Sequence, residues 1–143
     1  MDLLNPQEVE AKVEARFRVF FILWAAILVS VGLLTTLAVV VGSKGTANPT
    51  LSYALLGAGG MMVVASLLLK PKLVQQAIDK NEIAALQTAH ILALALSESA
   101  ALFGLVDRLT TASNTSWFLF AISAIGILMN FPNKDQIRSV SFR

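Results

Sequence analysis

Four stretches of this chain contain no Asp, Glu, Lys or Arg: Val19 to Ser43, Leu51 to Leu69, Ile83 to Val106 and Leu109 to Asn133. A helix rises about 1.5 Å per residue, so roughly 20 residues cross a hydrocarbon core of about 30 Å. Backbone polar groups in lipid must be satisfied within the segment, which leaves helices as the element such runs can form. The expected fold is therefore an all-α integral membrane protein, a four-transmembrane-helix bundle with spans at about 19–41, 51–69, 83–106 and 116–131. The fourth span is the shortest. Its first residues are the polar string LTTASNTS, its apolar part runs from Trp117 to Phe131, and Pro132 ends it because proline cannot continue the hydrogen-bond ladder. Composition agrees: 56% of residues are apolar and 14% charged, with a mean hydropathy of +0.72, against about 25% charged in soluble domains. Cysteine is absent, which excludes disulfides and thiolate metal sites and leaves the redox compartment unread.

The basic residues set an orientation. Lys12, Arg16 and Arg18 precede the first span, Lys44 follows it, Lys70, Lys72 and Lys80 follow the second, Arg108 the third, and Lys134, Arg138 and Arg143 the fourth. Nine of the eleven fall on one side of a four-span arrangement. The positive-inside rule makes that side cytoplasmic, with both termini there. Trp24 near the inner boundary, and Tyr53 and Trp117 near the outer one, suit the headgroup region. A bacterial inner (plasma) membrane is the expected location. The basic residues flank apolar runs and do not form one face of a folded domain, so nucleic acid is not an expected partner. The connections GSKGTANPT (42–50), KPKLVQQAIDKNE (70–82) and DRLTTASNTS (107–116) read as a turn-rich, a charged and a polar loop.

Residues 1–18 read as a cytoplasmic helical extension. Asn5, Pro6 and Glu8 read as an N-cap, a first-turn proline and a capping-box acid, which predicts one helix from Pro6 to Val41. Glu8 with Lys12 and Glu14 with Arg18 are i,i+4 pairs of favourable order. A cleaved signal peptide fits poorly, since a long polar stretch precedes an overlong apolar run with no small-x-small site. Val9, Val13, Phe17 and Phe20 form an apolar stripe expected to pack on segment 70–82, the alternative being a partner. Residues 134–143 read as a cytoplasmic tail.

His90 and Glu98 are the two ionisable residues inside the spans, both on the third. An intramembrane charge costs at least about 2.5 kcal/mol, so such residues are the default functional candidates. Eight residues separate them by roughly 80° around the helix and 12 Å along it, too far for direct contact. Gln87 shares the face of Glu98. For Glu98 two roles stay open: a carboxyl giving an interhelical hydrogen bond, or an ion or proton carrier. For His90 the plain role is a hydrogen bond to a hydroxyl or carbonyl. A haem or pigment on His90 would lack a second ligand from the chain, so no cofactor is expected.

Ala85, Ala89, Ala93, Ser97 and Ala101 make a ladder of small residues at spacing four, and Gly57, Gly59 and Gly60 a small patch on the second span. Small residues let helix backbones approach closely in lipid, so both read as packing seams. By depth, Gly59, Gly60 and Ser123 lie near Glu98, with Thr35 and Thr36 slightly further out. A phosphate-binding loop, a GxSxG or HExxH motif and a second histidine for zinc are all missing, which argues against an enzyme. Asn114, Thr115 and Ser116 match a glycosylation acceptor, but Asn114 reads better as the fourth helix's N-cap. The loops are too small for a substrate site, so the expected role is an accessory subunit in an oligomer or larger membrane complex, in contact with lipid and with copies of itself or other subunits.

From Gly57 through KPKL to Val106, the GAGG patch, the polar loop and LALALSESAALFGLV together resemble the proteolipid, or c, subunits of rotary ATP synthases. The single ES step before FGLV is also similar to small four-span bacterial membrane proteins of uncharacterised type. The c-subunit resemblance implies that Glu98 is an ion-carrying carboxylate, that Gly57, Gly59 and Gly60 form the glycine seam beside it, and that the chain moves protons or cations.

Overall fold

The computed structural model describes residues 6–111 and 113–141. Five helices follow one another in these residues: α1 Pro6–Val41, α2 Pro49–Lys80, α3 Ile83–Thr110, α4 Thr115–Met129 and α5 Lys134–Ser141. No strand is present among them. Asn5, the expected cap of α1, lies outside the described residues.

The bundle exposes many large apolar side chains and buries polar ones within an otherwise apolar core. Val40 is 77% exposed and Met61 75%, and Ile22, Val29, Leu33, Leu68, Phe118 and Leu128 are also exposed. Buried within are Ser52, Ser66, Ser97, Ser116, Ser123, Asn130, Asp107, His90 and Lys70. In water this would be inverted. In lipid, apolar side chains lose nothing by facing outward, and interhelical packing and hydrogen bonds hold the helices together. α1, α2 and α3 are each long and apolar enough to cross a membrane. α4, at 15 residues, spans about 22 Å, and qualifies as a fourth crossing only together with α5, from which it is bent by 51°. The break falls at Pro132, where the proline was expected to end the helix.

Segment 70–82, read from sequence as a loop, is helical to Lys80. Pro71 removes one backbone donor, yet the helix continues because Val74 and Ala77 bury a face against Val13, Phe20, Leu86, Ala89, Ile137 and Val140. α2 ends at Asn81 in the left-handed region (φ 53°), with Glu82 N–H on Ala77 O and Asn81 N–H on Ile78 O. That Schellman-type closure, with Asn in the place where glycine is commonest, makes the hairpin between α2 and α3 tight. The polar loop is likewise shorter than expected, since α3 runs through Asp107 and Arg108 to Thr110. Asn114 stands at the N-cap of α4 without a side-chain cap bond. The Ser113 hydroxyl accepts from Thr115 N–H instead, at 3.1 Å.

The tail folds back as α5. Ile137 and Val140 insert into the same cluster as Val13 and Phe20 of the N-terminal stripe. Lys134 Nζ meets Glu14 and Arg138 meets Glu10. Glu14, expected to pair with Arg18, is thus engaged by Lys134, whose hydrogen bond and charge hold its carboxyl below the usual range. The N-terminal extension and the tail therefore sit at one end of the bundle.

Candidate functional site

Glu98 is half-buried between α1 and α3, where the Ser30 hydroxyl donates to its Oε1 at 2.5 Å. This partner was not anticipated. Thr35 and Thr36 instead bond the carbonyls of Val31 and Gly32 on their own helix. Ser123 donates to the Ser97 carbonyl at 2.7 Å, one residue from Glu98 but on the buried face. Gln87 is exposed near the start of α3. α1 gains a second polar tie from Trp24, whose indole N–H donates to Ile127 O at 2.8 Å. The Trp24 ring also packs edge-on against Phe131, with centroids 5.1 Å apart.

His90 and Glu98 stay apart, each with its own partners. His90 is buried with Phe20 at 4.9 Å between ring centroids. Its Nδ1–H donates to Leu86 O at 3.2 Å, because a carbonyl can only accept. Its Nε2 is buried without a partner.

The buried polar groups form two islands. In the first, Ser66 and Ser97 hydroxyls lie 2.9 Å apart across α2 and α3. Asn130 Nδ2 from the end of α4 donates to Ser97 at 3.2 Å, to Ser66 at 3.3 Å and to Gly126 O at 2.9 Å. One turn along α2, Lys70 is buried too, its Nζ donating to Phe131 O at 3.5 Å. The amine thus sits at the C-terminal end of α4, where orphan carbonyls favour a cation. In the second island, Asp107 of α3 is 0% exposed. Its Oδ1 accepts from the Ser52 and Thr111 hydroxyls, each at 2.7 Å, and its Oδ2 has no partner. Lys70 and Asp107 were assigned to loops by sequence, so the buried ionisable groups are more numerous than the expected pair. Their signal was position: each lies one residue outside a charge-free run, where the helix continues.

Leu119 separates the islands. An added Cβ at Gly59 would come 2.4 Å from Leu119 Cδ2 and 3.4 Å from Ala100 Cα, and one at Gly104 would lie 3.1 Å from Leu119 Cβ. Gly59 and Gly104 therefore make the notch that seats Leu119. Gly57 and Gly60 face the other way. An added Cβ there meets nothing within 4 Å, and with Met61 and Val64 they line an open groove on α2. The ladder Ala89, Ala93, Ser97, Ala101 is buried along α3, with Ala85 partly so. Gly126 packs against Ser97, its added Cβ falling 3.0 Å from the Ser97 hydroxyl.

Among the described residues no three His, Cys, Asp or Glu side chains cluster as metal ligands would. Comparison with protein-family models, curated proteins and solved structures finds no match to this chain.

Proposed function

We propose that this chain is a non-enzymatic accessory subunit, working inside an oligomer or larger complex of a bacterial inner membrane with both termini cytoplasmic. The observation that carries the reading is the half-buried Glu98, bonded to Ser30 across α1 and α3. A carboxyl in lipid is costly unless neutral or paired, and a neutral one can still donate a hydrogen bond to a neighbouring subunit. Among the described residues the connections between helices are short and give little room for a substrate site outside the bundle, and the Gly57–Gly60 groove offers a second small-residue face for a neighbouring helix.

Substitution at Glu98 tests this role. Glu98→Gln keeps a donor and should leave assembly nearly unchanged, whereas Glu98→Leu should weaken it by about 1 kcal/mol. Native mass spectrometry in mild detergent reads both, and a lone monomer for the unmodified chain would sink the proposal. A thiol placed at Ser43 or Ser113 should react from the periplasmic side; reaction only from the cytoplasm would reverse the orientation.

The same half-buried carboxyl supports a second reading, proton or cation translocation as the c-subunit resemblance implies. That role needs the carboxyl to change protonation, so Glu98→Gln would abolish flux into vesicles while leaving assembly intact. A hydrophobic carbodiimide would label Glu98 quickly, and high pH or sodium would suppress the labelling. Unhindered transport by Glu98→Gln would remove this reading.

A further inference from the structure

The Asp107 island presents a combination that its internal hydrogen bonds do not complete. The carboxyl is wholly buried, both hydroxyl donors within reach go to Oδ1, and Oδ2 receives none. A second oxygen is unpartnered nearby. Ser116 Oγ, 0% exposed, lies on the first turn of α4, and the Ser116 backbone packs on Gly104, whose added Cβ would be 3.2 Å from Ser116 O. Asp107 lies one turn beyond Gly104 on α3, with Ser52 of α2 as its cross-helix partner. Two buried oxygens without partners thus occur on α3 and α4, Ser116 packing beside the residue one turn before Asp107.

The island is also closed from above. Gly45 of the α1–α2 connection presses on the end of α3, where an added Cβ would fall 2.0 Å from Thr110 O. Ser43 Oγ donates to Thr111 O at 3.1 Å. These contacts lay one connection over the other and shut the carboxyl away from water.

We propose that Asp107, Ser52, Thr111 and Ser116 form a buried site for a monovalent alkali cation, held where the two connections meet. Every donor is a hard oxygen, the kind that suits alkali and alkaline-earth ions and not the softer transition metals. The island offers one carboxylate and neutral hydroxyls, which balances a single positive charge and not two. Each hydroxyl carries two lone pairs besides its proton, so Ser52 and Thr111 can keep a hydrogen bond to Oδ1 and still turn a lone pair to the ion. Arg108 is adjacent in sequence, but its guanidinium lies over the Trp117 ring at 5.6 Å and makes no ion pair with Asp107. The site is independent of the role of Glu98.

The test is thermal unfolding of the full chain in detergent at constant ionic strength, exchanging sodium chloride for choline chloride. The expected result is a saturable rise in midpoint of a few degrees with sodium, since a ligand that binds only the folded state stabilises it by mass action. Asp107→Asn should abolish the sodium dependence, and Ser116→Ala should move the half-effect to about tenfold higher sodium. If Asp107→Asn does not fold, Ser116→Ala and broadening of the sodium-23 resonance by the unmodified chain decide the matter. Superimposable curves in sodium and choline chloride would overturn the proposal in favour of a bound water. A sodium effect unchanged in Ser116→Ala would overturn it by placing the ion elsewhere.

Discussion

Replacing each glycine of the GAGG segment by alanine separates close packing from mere small size. Alanine is favoured over glycine in a helix by roughly 1 kcal/mol, and Gly57 and Gly60 have open space for the extra methyl. Gly57→Ala and Gly60→Ala should therefore stabilise the isolated chain by about 0.5–1 kcal/mol. At Gly59 the same gain meets a clash, because the methyl would lie 2.4 Å from Leu119 Cδ2. Leu119 is 0% exposed and is held from the other side by Gly104, so its side chain has little room to turn away. Overpacking of this kind costs about 1–3 kcal/mol. Net destabilisation of about 1 kcal/mol is expected, a difference of roughly 1–3 kcal/mol from its two neighbours. Reversible unfolding in mixed micelles measures this directly. The relief experiment is Gly59→Ala in a Leu119→Ala background, where the second methyl enters a cavity and should stabilise. Equal effects at positions 57, 59 and 60, or a Gly59→Ala penalty that persists without Leu119, would refute the packing argument. If Gly57→Ala or Gly60→Ala instead lowers oligomer stability with the monomer unharmed, the open groove is an intersubunit face.

Asn130→Ala removes the bonds to Ser66 and Ser97; at about 0.6 kcal/mol for an average interhelical bond in lipid, unfolding free energy should drop by about 1–2 kcal/mol, whereas Gln87→Ala, exposed near the start of α3, should change it by less than about 0.5 kcal/mol. The α5 contact should respond to pH and salt. Because the folded-state pKa of Glu14 lies below 4.5, its stabilising contribution is fully present above that value and is lost as pH falls through the folded pKa. Limited proteolysis should then cut between α4 and α5 faster at acid pH and at high salt, and Glu14→Gln should make cleavage insensitive to this step. Ile137→Ala removes a buried anchor of the same contact and should speed cleavage at every pH.

Periodicity and charge placement in the sequence were enough to determine much of this protein. The absence of charge over four long runs implies an all-helical chain with membrane-crossing helices, because no other element satisfies its own backbone in lipid. The limits of α1, Pro6 and Val41, were legible from a proline-acid start and a glycine-rich end, since caps and turn residues act locally. The packing of Val13 and Phe20 on segment 70–80 was also legible, from the stripe alone. Local rules misjudged the places where tertiary contact outweighs them. KPK looks like a break, but Val74 and Ala77 gain a core on the far side of it, and the helix runs on through Pro71. The tail looks like a polar coda, and becomes a helix because the α1 extension presents Glu10 and Glu14 to its basic side and an apolar cluster to Ile137 and Val140. Sequence marked Glu98 as costly but could not tell which side chain answers it, because Ser30 is 68 residues away and its facing depends on how α1 crosses α3. Nor could it separate Gly59 from Gly57 and Gly60. The three share composition and depth, and only the rotation of α2 about its axis turns one toward Leu119 and the others outward. Asp107 shows the same dependence: one residue past an apolar run it reads as a loop acid, and only the fold of two connections over the bundle end encloses it.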